Sequence, residues 1–356
     1  MTERADFDIV IAGGGIAGLA AAAAFGGAGY RTLCVDPAVP VTERDAQGAD
    51  LRTTAFLQPA RDFLDEIGLW ARVADAAEDL QVMRIVDAGG ETPHPRLTRD
   101  FDAADISARP FGWNVSNWLL RREFTAALAD MDSVDHRQGR GVSGLFSRFG
   151  EARVRLDDGT QVSARLAVAA DGRNSTLRRA AGIGVRTFRY GQKALAFAVT
   201  HNAPHGNVST EIHRSGGPFT LVPLPDRGGK PCSAVVWMET GAEADRLHAL
   251  PPDEFSAAAT HRSGELYGPL TLTGNRTLWP IISQIADRFA GERLALVAEA
   301  AHVVPPIGAQ GLNMSLADIA DIVGRARASD DPGAPDILAA YARRRRPEVA
   351  ARVLGV

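Results

Sequence analysis

The chain has 356 residues, 45% of them hydrophobic and 23% charged, with a formal net charge of −4. That length suits one large α/β unit or two domains sharing a core, and the mild negative charge gives no electrostatic reason to expect a nucleic-acid partner. No apolar run is long enough to span a bilayer, and the polar stretch Met1–Asp8 does not read as a secretory signal, so a cytoplasmic protein is expected. Cys34 and Cys232 stand far apart with no ligand-like spacing, which predicts two reduced, buried thiols and no metal site. Lys193 and Lys230 are the only lysines, and neither lies in a P-loop sequence.

The run FDIVIA (7–12) is followed by glycines, an Ala-rich stretch (17–25) and a second apolar run ending at Asp36. This predicts strand, tight turn, helix and strand, a βαβ unit of about 30 residues. Residues 60–70 show helical spacing, with Phe63, Leu64 and Ile67 on one face. Residues 82–106 read as two short strands around a turn at Gly89-Gly90, and a helix is expected over 117–129. The segments 152–156 and 161–168 flank Asp157-Asp158-Gly159-Thr160, a hairpin signal. Between 191 and 278 apolar residues alternate, and the runs FTLVPL and SAVVWM predict antiparallel strands, interrupted by a helix over 252–259. A last strand is expected over 293–298, then a Gly/Pro loop and a helix from about Leu312. The expected fold class is therefore α/β. A discontinuous Rossmann-like nucleotide domain (1–80, 107–185 and 285–356) carries an inserted, mainly antiparallel sheet domain (81–106 and 186–284).

Three motifs carry chemistry. The first is Gly13-Gly14-Gly15-Ile16-Ala17-Gly18, a GxGxxG between strand and helix. Gly13 permits the tight turn, Gly15 lets a pyrophosphate approach the backbone, and Gly18 lets the helix pack closely. The helix N-terminus offers free N–H groups to the phosphates. Asp36, roughly 20 residues on, ends the next strand where it can hydrogen-bond a ribose. The second motif, LAVAADGRNSTLR (166–178), brings a strand to Asp171-Gly172, with Ser175 and Arg178 beyond; on its own it reads equally as a helix cap. The third, LALVAEAAHVVPPIGAQGLN (294–313), delivers Glu299 at a strand end, then an irregular backbone at Pro305, Pro306, Gly308 and Gly311. The N–H groups of Gly311, Leu312 and Asn313 suit an anionic ring edge, such as the N1–C2 carbonyl edge of a reduced flavin.

These motifs, in this order, resemble the group A flavin monooxygenases of the p-hydroxybenzoate hydroxylase fold, and more narrowly the ubiquinone-biosynthesis (UbiH-type) hydroxylases. Further supporting segments are Arg52–Ala55, Asn117–Arg121 and PFTLVPLP (218–225). The resemblance implies FAD as cofactor, with Gly13, Gly15, Ile16, Ala17 and Gly18 at the pyrophosphate and Asp36 at the adenosine ribose. It places Arg52 and Arg121 near the pyrophosphate and ribityl chain, with Asp171 and Gly172 nearby. Glu299, Pro306, Gly308, Gly311, Leu312 and Asn313 belong to the same cofactor site. It also implies oxygen transfer from a flavin C4a-hydroperoxide to an aromatic, lipid-like ring, with O₂ as co-substrate and an external electron donor, NAD(P)H or a redox protein. Leu221, Val222, Pro223 and Pro306 are expected to wall the substrate pocket; no catalytic base is nominated. Peripheral contact with the inner membrane through Arg343–Arg346, a biosynthetic complex and a homodimer are the partner expectations.

The chain departs from the family pattern at Ala298-Glu299, where many members have Gly-Asp, and at Gly308-Ala309, where others have Ala-Gly. It also stops at Val356, where relatives continue through further helices. The competing readings are a flavin reductase or halogenase on the same fold, and a flavin-fold assembly partner without catalysis. A tryptophan-type halogenase needs a WxWxIP segment and a catalytic lysine, and Trp279-Pro280 is only a fragment of that. His201 and His205 are separated by Pro204, which argues against a helical metal pair.

Overall fold

The computed structural model describes residues 5–44, 46–89, 95–214 and 216–354. Two large sheets organise it. The first is built on five parallel strands, in the spatial order Leu294–Leu296, Gln161–Ala169, Phe7–Ala12, Thr32–Asp36, Val134–Gln138. Its central strand reads FDIVIA because both faces are covered, and Ile9 to Ala12 have no exposed surface. Helix Ile16–Gly27 is apolar all round, and Ala17 to Gly26 are all buried. Its alanines and glycines let helices Asn117–Ala129 and Gln310–Arg327 close in on either side. The hairpin over 156–160 forms as expected, with Leu156 N–H donating to Thr160 and Gly159 at φ +87°.

The second sheet has the order His302–Val303, Thr277–Ala286, Val185–Thr200, Lys230–Thr240, Gly217–Arg227, Val208–Arg214, Val82–Asp87, Leu97–Asp102. Its pairings are antiparallel except that of Val208–Arg214 with Val82–Asp87. The expected turn at Gly89-Gly90 reaches outside the described residues at Gly90. One face of this sheet packs under helices Gly241–Ala249 and Pro252–Arg262, with Phe197, Phe219, Trp237 and Phe255 in mutual ring contact. The other face looks toward the first sheet. A small third sheet, Thr53–Leu57, Gly112–Ser116 and Glu78–Leu80, stands at the junction.

Several boundaries differ from expectation. The last strand stops at Leu296, because Ala298 turns into the left-handed region at φ +54° and starts a short 3-10 turn. The following helix begins at Gln310, two residues before Leu312. Both cysteines are buried and free, and burial pushes the Cys34 thiol up to about 12. His201 stacks on Tyr267 and binds Ser233, while His205 meets the Leu224 carbonyl. Both imidazoles thus have structural partners. Among the described residues there is no cluster that could hold a metal ion.

Candidate cofactor and substrate site

A cavity of about 930 Å³ lies between the two sheets. The glycine turn forms one end. A Cβ on Gly13 would sit 2.3 Å from the Ala170 carbonyl oxygen, and one on Gly18 would sit 1.8 Å from that of Gly13. Both glycines are demanded by the fold. Gly15 differs, because a Cβ there would meet nothing within 4 Å and would project into open space. Asp36 accepts from Gly14 N–H at 2.5 Å and from Ala38 N–H at 2.8 Å, so the same carboxylate braces the turn and borders the cavity.

Arg52 forms a two-pronged ion pair with Asp50, at 2.8 and 2.7 Å, and its guanidinium lies 4.4 Å from the Trp279 ring centroid. Burial alone would raise the Asp50 carboxyl, but the hydrogen bond and charge of Arg52, with a bond from Asn117, hold it below its ordinary range. Arg52 therefore joins loop, helix and second sheet as well as facing the cavity. Arg121 borders the cavity with its Nε buried and unpartnered.

Asp171 combines both readings of its motif. One oxygen caps helix Thr176–Ala180, accepting from Thr176 and Leu177 N–H; the other is buried without a partner. Arg178 is buried and donates to the Ala300 carbonyl at 2.8 Å, pinning the Ala298–Ala300 turn that presents Glu299. Glu299 is exposed on the cavity wall. In the Gly/Pro loop, Gly308 and Ala309 are both left-handed, at φ +62° and +54°. The exchange of Gly-Ala for Ala-Gly thus moves the glycine from one left-handed position to its neighbour. Gln310, which the motif reading passed over, borders the cavity with a buried, unpartnered Oε1.

Every residue expected at the cofactor borders this cavity except Asn313. With the helix starting at Gln310 and capped by Ala309, Asn313 is the first residue whose N–H has an acceptor within the helix, so it lies beyond the free N–H groups. Its side chain instead bonds Leu57 N–H and the Ala55 and Ala309 carbonyls, tying the loop to strand Thr53–Leu57.

The substrate-pocket expectation needs a similar correction. Successive strand side chains face opposite ways. Val222 borders the cavity, whereas Leu221 is buried in the core under the helices and Pro223 is buried with its carbonyl bound by Asn114. The cavity face is shared by Thr220, Val222, Ala234, Val236 and Ala196, aligned across the strands, with Pro306 opposite. Sequence reasoning missed Ser209 and Glu211 on the adjoining strand and Asn114 beside it, whose Oδ1 is buried and unpartnered. Alternation along 208–214 was the signal for the first two. Neither lysine borders the cavity; Lys193 is paired with Asp245 at 2.6 Å.

The lining fits FAD. It has an open approach at Gly15, the N-termini of two long helices, and unpartnered polar atoms on Arg121, Asp171 and Gln310 that a polar ligand would satisfy. The chain belongs to the FAD binding domain family, which matches residues 6–355, and it is an FAD-dependent monooxygenase with a p-hydroxybenzoate hydroxylase-like fold. Among its relatives, ubiquinone hydroxylase UbiL of Rhodospirillum rubrum is 34% identical over 345 residues, 96% of this chain and 78% of that protein. Ubiquinone hydroxylase UbiM of Neisseria meningitidis is 26% identical, covering 94% of this chain and 72% of its own length. Among solved structures, PqsL of Pseudomonas aeruginosa in complex with 2-aminobenzoylacetate superimposes with a TM-score of 0.83. It is 24% identical and covers 98% of this chain and 94% of its own, a likeness of fold.

Proposed function

We propose that the protein hydroxylates the ring of a polyprenylated phenol on the way to ubiquinone. The observation that carries this is the 34% identity to a ubiquinone hydroxylase along 96% of the chain. The cavity is compatible with it, since Met83, Val222, Ala234, Val236 and Ile281 make an apolar surface suited to a ring and tail. In this reading residues 1–80, 107–185 and 285–356 form the FAD-binding domain, and 81–106 and 186–284 the substrate domain.

FAD, once held there, would supply the reducing electrons and an electrophilic oxygen atom derived from O₂. The protein's own residues do the rest. Gly15 admits the pyrophosphate and Asp36 receives the ribose. Arg121 would meet the pyrophosphate, and the helix that starts at Gln310 would place positive potential where negative charge builds up. The apolar sheet face would exclude water from the ring.

Contact with the inner membrane belongs to this reading because a polyprenyl tail resides there. In the Arg343–Arg346 run Arg345 is buried against Asp318, whereas Arg343 and Arg344 are exposed, the latter beside Asp321. No helix among the described residues is long and apolar enough to cross a membrane.

Deleting the gene in its host and analysing the quinone pool tests the reading. The expected result is an under-hydroxylated polyprenylphenol, relieved by restoring the gene. Normal ubiquinone with no precursor, in a host lacking a second such hydroxylase, would refute it.

A further inference from the structure

Apart from His302 at its edge, which is bound to Asp318, the sheet face over the cavity is apolar except at three neighbouring positions, Ser209, Glu211 and Thr220. Glu211 stands directly across from Thr220, and Ser209 lies two residues earlier on the same face. Glu211 is 8% exposed and is the one carboxylate that this sheet gives to the cavity among the described residues. Its chain neighbours face the other way: Ile212 is in the core, and Thr210 is bonded to the Tyr267 hydroxyl at 3.1 Å. Placing an acid in so enclosed a position is unfavourable without partners. The partner is His213, whose Nε2 lies 2.7 Å from Glu211 Oε1. The His213 side chain is 50% exposed, so the pair runs from the cavity wall to water.

We infer that Glu211 and His213 form a proton shuttle for the hydroxyl group of the ring substrate. The inference rests on the ring-hydroxylation reading above. When a phenol ring donates an electron pair to an electrophilic oxygen, a C–O bond forms, the bond between that oxygen and its donor breaks with the electron pair left on the donor, and the original hydroxyl oxygen becomes strongly acidic. Its O–H bond breaks, the electron pair stays on that oxygen as a carbonyl, and the proton goes to the Glu211 carboxylate. His213, with its ring hydrogen on Nδ1, takes this proton at Nε2 across the short contact and releases the Nδ1 proton to water. Loss of the hydrogen from the newly substituted ring carbon, with return of a proton to the carbonyl oxygen, then restores the aromatic phenol. No electrons are exchanged with Glu211 or His213 in these steps.

The test uses the FAD-loaded protein with 2-geranylphenol as the probe. Glu211→Gln should lower kcat by about a hundredfold, the scale of a lost general base, with KM and flavin content unchanged; Glu211→Asp should recover part of the rate. His213→Ala changes a half-exposed residue and should leave folding intact. It should slow turnover less, and added imidazole should restore the rate. Unaltered kcat in Glu211→Gln, or a loss confined to KM or to flavin content, overturns the shuttle. So does a His213→Ala protein that is either unimpaired or not rescued by imidazole. Failure of the unaltered holoprotein to hydroxylate any polyprenylphenol overturns the ring-hydroxylation reading, and the shuttle with it.

Discussion

Gly13, Gly15 and Gly18 look equivalent in a motif, but the structure gives them different tasks. A side chain at Gly18 collides with backbone 1.8 Å away, while one at Gly15 meets only space. Gly18→Val should therefore destabilise the apoprotein strongly. Gly15→Val should leave its melting temperature close to that of the unaltered chain and abolish FAD binding. Melting curves and flavin titration of both variants check this; normal FAD affinity in Gly15→Val would contradict it. Ala298 provides a second residue-scale test. A non-glycine residue at φ +54° carries strain, so Ala298→Gly should raise apoprotein stability by about 0.5–1 kcal/mol and tighten FAD or leave it equal. Markedly looser FAD would show that the backbone at Ala298 does not approach the cofactor closely. The glycine motif and Asp36 were legible in the sequence because their spacing is local. The nomination of Leu221, Val222 and Pro223 together shows where legibility ends. The run was correctly read as strand, but its pleat was not applied, and only the middle residue faces the cavity.

Between elements, the Ala298–His302 segment and the last two helices are held by one buried carboxylate. Asp318 accepts from His302 at 2.6 Å, from Arg345 at 2.8 Å and from the Ala298 N–H at 3.2 Å. Helix Pro335–Leu354 thereby reaches the backbone that presents Glu299. Tyr341 adds a hydrogen bond to the Leu296 carbonyl at 2.6 Å. Removing the acid takes from buried Arg345 one of its two carboxylate partners and leaves Glu348, a change worth about 3 kcal/mol, the lower end for a broken buried pair. Asp318→Ala should lose stability on that scale in denaturant unfolding. Arg345→Ala is also expected to destabilise, and the double variant should lose less than the two single losses added; simple additivity would show that the pair is not coupled. None of this was legible beforehand. Arg343–Arg346 reads as a charged helix face, and nothing local marks Arg345 as the inward member, because its partner is 27 residues away in sequence.

For the whole molecule, the order of strands and helices along the chain was enough to expect a nucleotide domain interrupted by an antiparallel sheet. The cavity between the two sheets was harder to foresee. It depends on which face of each strand points inward, and on long-range contacts such as Arg52 over Trp279 and Asn114 bound to Pro223. FAD binding at this junction should stabilise the whole fold, by about 2.7 kcal/mol when free FAD is at 100 times its Kd. In the ring-hydroxylation proposal, one oxygen atom of O₂ is placed on a phenolic ring. The most direct measurement is to turn over 2-geranylphenol with the reduced holoprotein under ¹⁸O₂ and weigh the product. The expected product is a hydroxylated phenol carrying one ¹⁸O atom; product whose new oxygen comes from water, or reduced flavin that is oxidised with no product formed, would refute ring hydroxylation.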